Sequence, residues 1–390
     1  MPTEAPSPEA IRAELLLEPD LTFLNHGSYG ATPASVMAVA EGFRREMEAN
    51  PVAFLDPGRA LAGRLQSVRR RLGAVIGANP RDFALIENAT EGVNIVARSL
   101  DLKPGDEVLT TDHEYAACEK LWARIAAESG AKIVAMPLVL ANAAAFTKGL
   151  RDGFTPRTRV LFLSHVTSAT ALQLPIAPIL AEARARGIFT LIDGAHAPGL
   201  VPLDLSVLEA DAYAGNAHKW LMASKGAAFL HVRLEHQSAI RPLILSHGWQ
   251  EGTVDGPFGG SRFIDALETQ GTRDMAAFLS LPAALDWQAA RGWPQVSAHA
   301  AERMQAASHR IIKITRQPLL AAQEFLTPQM VAFPLPLGTD PIALKAALFA
   351  QRIEIPCYHW QNRPILRLSV AGYTTDAELG HLVATLRDLL

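Results

Sequence analysis

The 390-residue chain is short of several features that announce a function. It has only two cysteines, Cys118 and Cys357. Two thiols build neither a disulfide framework nor a four-thiolate zinc site, and no metal site is expected. Charged residues make up 19%, the net charge is -3, and no long run of one sign occurs. Electrostatics therefore give no reason to expect a nucleic-acid or anionic-membrane partner. The longest nearly apolar stretch, 133–146, is interrupted by Pro137 and Asn142. It falls short of the roughly 20 residues that cross a bilayer. The N-terminal segment 1–20 carries acidic residues and prolines, not a basic region followed by an apolar one. A signal peptide is not expected, and the expected location is cytoplasmic. A G-x-G-x-x-G loop after a first strand, which a nucleotide-binding α/β protein would need, is also missing.

What is present points to a large folded chain. Hydrophobic residues make up 49%, enough for a sizeable core, and the length suits two domains. From position 83 onward, short apolar runs alternate with helical patterns. Strands are expected at 83–87, 107–111, 132–138, 159–165, 188–193 and 227–232. Helices are expected at 90–100, 114–129 and 177–186, the last ended by Gly187. The strands are apolar throughout, as in a mainly parallel sheet covered on both faces. The C-terminal third reads as a smaller α+β unit. It is mostly helical over 276–314, with strands at 331–335, 353–358 and 365–370 and helices at 341–351 and 375–390. The expected division is an N-terminal segment over 1–50, a large domain over 51–260 and a small domain over 261–390.

Ligands of such sheets bind beyond the carboxyl ends of the strands. Four polar segments fall there. Glu87-Asn88-Ala89-Thr90-Glu91 stands at a strand-to-helix turn and suits a phosphate, or simply caps the helix. Ser164-His165-Val166-Thr167-Ser168 suits the edge of a planar ring, or ends its strand. Asp193-Gly194-Ala195-His196 places a carboxylate at a buried strand end, where it needs a partner such as a pyridinium nitrogen or a structural arginine. Asn216-Ala217-His218-Lys219-Trp220 sets a lysine in apolar surroundings. Burial there would free a nucleophilic amine, although a solvated surface lysine is the commoner case.

Phosphate turn, strand-end polar cluster, strand-end aspartate and a lysine 26 residues later form one ordered set. The run Leu191-Ile-Asp-Gly-Ala-His-Ala-Pro-Gly and the later Ala217-His-Lys-Trp-Leu resemble the class V aminotransferase family of fold-type-I pyridoxal phosphate (PLP) enzymes. The early Phe23-Leu-Asn-His-Gly-Ser-Tyr-Gly-Ala-Thr-Pro resembles its isopenicillin N epimerase-like subgroup. The resemblance runs from about Leu21 to the C-terminus. It implies an aspartate-aminotransferase-like α/β fold, with PLP held as a Schiff base on Lys219.

The same resemblance implies the remaining roles. Asp193 pairs with the pyridine nitrogen, and His165 and His196 lie near the ring hydroxyl. Ala89 and Thr90 hold the phosphate, with Asn216 and His218 helping. Tyr115 stacks on the ring, with His113 the alternative. Thr272, in Gln270-Gly-Thr-Arg-Asp274, reaches the phosphate of a partner subunit, which implies a homodimer with shared sites. Arg367 binds the substrate's α-carboxylate, and Asn25 and His26 line the entrance; for His26 an ordinary structural role stays open. The implied reaction is epimerisation, racemisation or C–S lysis at the α-carbon of an amino acid. Aminotransferase or cysteine desulfurase-like chemistry is the alternative, and a catalytically degenerate PLP-binding protein is the alternative of another class. Cys357 lies ten residues before Arg367 in a strand-like pattern, and it reads as a core or edge residue in preference to a persulfide carrier. Cys118 reads as buried and inert.

Overall fold

The computed structural model describes residues 5–390. Residues 1–4, part of the stretch read above for a signal peptide, lie outside the described residues. Seven strands form the main sheet: β1 (Phe83–Ile86), β2 (Glu107–Thr111), β3 (Lys132–Met136), β4 (Thr158–Ser164), β5 (Phe189–Gly194), β6 (Ala212–Asn216) and β7 (Ala228–Val232). Their order is β1-β7-β6-β5-β4-β2-β3. All neighbours are parallel except β7, which is antiparallel to both β1 and β6. Two reversals cancel, so β1 points the same way as β2 to β6. The carboxyl ends of β1, β2, β4, β5 and β6 therefore meet along one edge.

The continuous apolar runs follow from burial on both faces. Along β4, Val160 and Phe162 enter one core while Leu161 and Leu163 enter the other. Helix α1 (Ala89–Ser99) covers β6 closely: a Cβ on Gly92 would stand 2.8 Å from the Ala214 methyl. The strand β6 lies outside the expected set. Its Ala-Tyr-Ala-Gly-Asn sequence has no apolar run to announce it. Helix α2 spans Ala116–Ser129 and starts two residues later than 114, because Glu114 turns its side chain into the sheet edge.

A three-stranded antiparallel sheet, β9-β10-β8, forms the smaller unit: β8 (Met330–Pro334), β9 (Cys357–Trp360) and β10 (Arg363–Ser369). The expected strand at 353–358 is split in the structure. Ile353–Glu354 pairs in parallel with Thr22–Phe23, and β9 begins after Pro356, whose missing N–H cannot continue a ladder. Leu24 enters the small core beside Leu366 and Leu368. The chain from Thr22 onward then crosses to the main sheet. Gly30 has φ +70°, and a Cβ there would stand 2.2 Å from the His218 carbonyl oxygen. Only glycine lets the N-terminal segment lie this close to the Lys219 backbone. Helices Arg262–Glu268 and Leu281–Ala289 pack on the large-sheet side. No helix among the described residues is long and apolar enough to cross a membrane.

Candidate active site

Three charged side chains converge at the carboxyl edge, and none has an ion-pair partner among the described residues. Asp193 is buried near the end of β5. Its Oδ1 accepts the Ala195 N–H at 2.9 Å, and the Cys118 thiol lies 3.6 Å from Oδ2. Burial raises its carboxyl above the usual range, against the nearby Lys219 charge. Lys219 follows β6, with Nζ 3.3 Å from His196 Nε2. Burial first, and then the Arg367 charge, lower its amine to about 7, although Asp193 pulls the other way. Arg367 projects from β10 and is buried. Its Nη1 donates to the Ser168 carbonyl and its Nη2 to Ser28 Oγ at 3.0 Å, while Nε has no partner. A buried guanidinium facing neutral oxygens is costly, and an anion would relieve it.

Two neutral histidines border this group. His165 Nδ1 is 3.0 Å from the Tyr213 hydroxyl, and burial lowers its pKa to about 4. Gly194 makes room for that tyrosine, since a Cβ would stand 2.0 Å from its ring. His196 is buried, and its Nδ1 has no partner. Burial and the charges of Lys219 and Arg367 hold its pKa well below 6.5.

The phosphate turn opens α1. Asn88 caps the helix by accepting the Glu91 N–H at 2.9 Å. Asn216 Oδ1 accepts the Ala89 N–H at 2.8 Å, which ties this turn to the end of β6. The Thr90 N–H is a first-turn donor without an i−4 acceptor. His218, two residues after β6, has Nδ1 3.1 Å from the Ala227 carbonyl.

Tyr115 and His113 part company. The buried His113 ring lies 4.4 Å from Trp360, and its Nδ1 is 2.7 Å from Asp112. Tyr115 occupies the cap position of α2, is 42% exposed and makes no side-chain hydrogen bond among the described residues. In the N-terminal segment, His26 is buried with both ring nitrogens engaged. Nδ1 is 2.9 Å from the Tyr373 hydroxyl and Nε2 is 3.1 Å from the Lys219 carbonyl. These contacts tie the N-terminal segment to the lysine backbone. Asn25 accepts from Ser28 at 2.5 Å and donates to Glu354 at 3.3 Å. Thr272 is exposed and has no hydrogen bond to the other candidates.

Ser28, Tyr213, Glu114 and the contact of Cys118 with Asp193 are site features outside the sequence-based expectations. Ser28 and Glu114 stand inside segments already singled out, next to Tyr29 and Tyr115, so proximity was the available signal. Both cysteines are buried, and burial raises both thiols, that of Cys357 to about 12.

Comparison with known proteins gives the family and the fold. The aminotransferase class-V family model matches residues 23–382. An isopenicillin N epimerase of Streptomyces clavuligerus is 37% identical over 388 residues, covering 97% of each chain. A second, from Amycolatopsis lactamdurans, is 36% identical with the same coverage. Among solved structures, a mutant of C-DES with glycine covalently linked to the PLP cofactor superposes with a TM-score of 0.84. Its sequence identity is 24%, with 98% of this chain and 99% of that one covered. The cysteine desulfurase CsdA of Escherichia coli gives a TM-score of 0.81 at 23% identity, covering 99% and 100%.

Proposed function

The chain belongs to the class-V aminotransferase family, and on that premise we propose a PLP-dependent enzyme that acts at the α-carbon of an amino acid through Lys219. The observation that carries the reading is the set of buried charges without protein counterions. Asp193, Lys219 and Arg367 ask for a cation, a carbonyl and an anion, in that order. PLP has a ring nitrogen and an aldehyde, and an amino acid brings a carboxylate. His196 Nδ1 and the Arg367 Nε donor are likewise buried without a partner among the described residues.

Bound PLP supplies an electron sink that stabilises negative charge at the substrate α-carbon. The chain does the rest. Asp193 keeps the ring nitrogen protonated. Ala89, Thr90, Asn216 and His218 surround the phosphate, and the α1 N-terminus adds its dipole. His165 and His196, both neutral, serve the ring edge, and Tyr115 covers its face. Arg367, with Ser28, binds the α-carboxylate and fixes the substrate's orientation. Lys219 Nζ, whose lowered pKa leaves much of the amine free near neutrality, takes the α-proton. Thr272 completes a partner's phosphate site in a homodimer, and the protein works in the cytoplasm.

Epimerisation is the favoured outcome, since the two epimerases match nearly the whole chain at 37% and 36% identity. C–S lysis is the second reading. Relatives named as putative L-cysteine desulfhydrases, at 28% and 30% identity, favour it. Desulfurase chemistry fits less well, because Cys357 is locked in β9 opposite Leu366 with its thiolate suppressed. The experiment is incubation of the PLP-loaded protein with amino acids in D2O. Deuterium at Cα with loss of optical purity is the expected result. Release of sulfide with a keto acid selects the lyase. Neither from any amino acid, in a PLP-loaded protein, favours the degenerate reading.

A further inference from the structure

One buried acid at the sheet edge has no task in the scheme above. Glu114 is 7% exposed and has no cation within ion-pair distance among the described residues. One carboxyl oxygen bonds the Thr111 hydroxyl at 2.6 Å, and the other bonds the Ser164 hydroxyl at 2.6 Å. Thr111 is the last residue of β2 and Ser164 the last of β4, so a single side chain ties two neighbouring strand ends.

Both ties lead to the ring site. Ser164 stands in register with Asp193 on β5, and the next residue's N–H, that of His165, donates to the Asp193 carbonyl at 2.9 Å. On the other side, Glu114 immediately precedes Tyr115, the cap residue of α2. One turn further along, Cys118 reaches Asp193. Fixing Glu114 therefore fixes Tyr115 relative to Asp193, that is, the face contact relative to the ring-nitrogen contact.

We infer that Glu114 is a positioning residue for the PLP ring, a clamp across β2 and β4 that sets Tyr115 against Asp193. The inference rests on the PLP reading of the site. Glu114 touches neither cofactor nor substrate and acts through Tyr115 and Asp193. The groups facing it are Thr111 from β2, Ser164 from β4, the charge of Asp193 from β5 and the Cys118 thiol from α2. Burial, and then the charge of Asp193, push its carboxyl up to about 8, so the neutral acid predominates at pH 7, with one oxygen donating to its hydroxyl partner and the other accepting. A glutamine is then a fair mimic, because either amide atom finds a hydroxyl that accepts or donates.

The test titrates PLP into the apo-protein and records the induced circular dichroism of the bound cofactor, which reports how the ring is held. Glu114→Ala is expected to weaken PLP binding about 10-fold and to shrink the dichroism per bound cofactor, with Glu114→Gln restoring both to within about twofold. A purely structural role would lower the melting temperature and leave the dichroism per bound cofactor unchanged. Thr111→Val and Ser164→Ala, which each cut one tie, are expected to shift both readouts the same way by less. They carry the test if Glu114→Ala does not fold. Unchanged affinity and dichroism in the alanine variant, or in both single-tie variants, overturn the inference, as does a glutamine variant as damaged as alanine. If wild type binds PLP normally while the variants are indifferent, this inference alone falls. If wild type takes up no PLP, the proposed function falls and takes this inference with it.

Discussion

Two sets of buried charge in this molecule differ in how they are balanced. Behind β1, Arg69 and Glu268 are both buried and bond each other. Arg69 Nε also donates to the Pro80 carbonyl at 3.2 Å, and Glu268 accepts the Leu85 N–H at 3.0 Å. Every charge there is answered by protein. At the carboxyl edge of the same sheet, Asp193 and Arg367 are as enclosed, Lys219 is partly buried, and none of the three is answered. The first set anchors helix Arg262–Glu268 to β1; the second is complete only with a ligand. Burial alone does not mark a functional charge. Burial without a counterion does, because the protein tolerates that cost only where something else removes it.

Substitutions separate the two sets. Lys219→Ala is expected to lower turnover by about 10²–10⁴-fold with the fold intact, checked by steady-state kinetics alongside circular dichroism. Arg69→Ala strands Glu268 and is expected to cost about 3–5 kcal/mol in chemical denaturation, with PLP affinity unchanged in the folded fraction. Equal effects of the two substitutions on stability would erase the contrast. Arg367→Ala is expected to raise KM about 10–100-fold. It should leave the apo-protein's melting temperature equal or higher, since it removes an unanswered charge. A marked drop in that temperature would mean that the Ser168 and Ser28 contacts already satisfy it.

A further effect is in pH. The folded-state pKa of Lys219, about 7, lies below its ordinary 10.5. Between those values the unfolded chain carries the extra proton, so the apo-protein gains stability as pH rises from about 7 toward 10.5. Lys219→Met is expected to remove this component of the rise, read by denaturant titration at several pH values. An unchanged slope would place the amine in contact with water.

Much of this was legible beforehand, and the reasons are particular. Strand β2 matches its expected range at both ends, because its apolar Val108 and Leu109 and β-branched Thr110 and Thr111 suit a fully buried strand and the polar turn that follows ends it. Asp193 stands at the end of an expected strand on the ligand edge, whereas Lys219 was singled out by its spacing from Asp193 and by the family resemblance, since the strand before it was not expected. Strand β6 was not found, because packing demands small residues there: a Cβ on Gly215 would stand 2.5 Å from the Phe229 ring. The break at Pro356 was visible in the sequence, yet a shared apolar pattern hid it. Glu114 was hidden differently. Its partners lie 3 and 50 residues away, and no local pattern joins positions that meet only when β2 and β4 pair through the sheet.

The most direct test of the central claim is the absorption spectrum of the purified protein, supplemented with PLP and then treated with borohydride. The account predicts a visible band that bleaches on reduction, with the cofactor retained on the peptide that contains Lys219 and on no other. Lys219→Ala should retain none. A wild type that stays colourless with added PLP, or a cofactor fixed at some other lysine, would contradict the account.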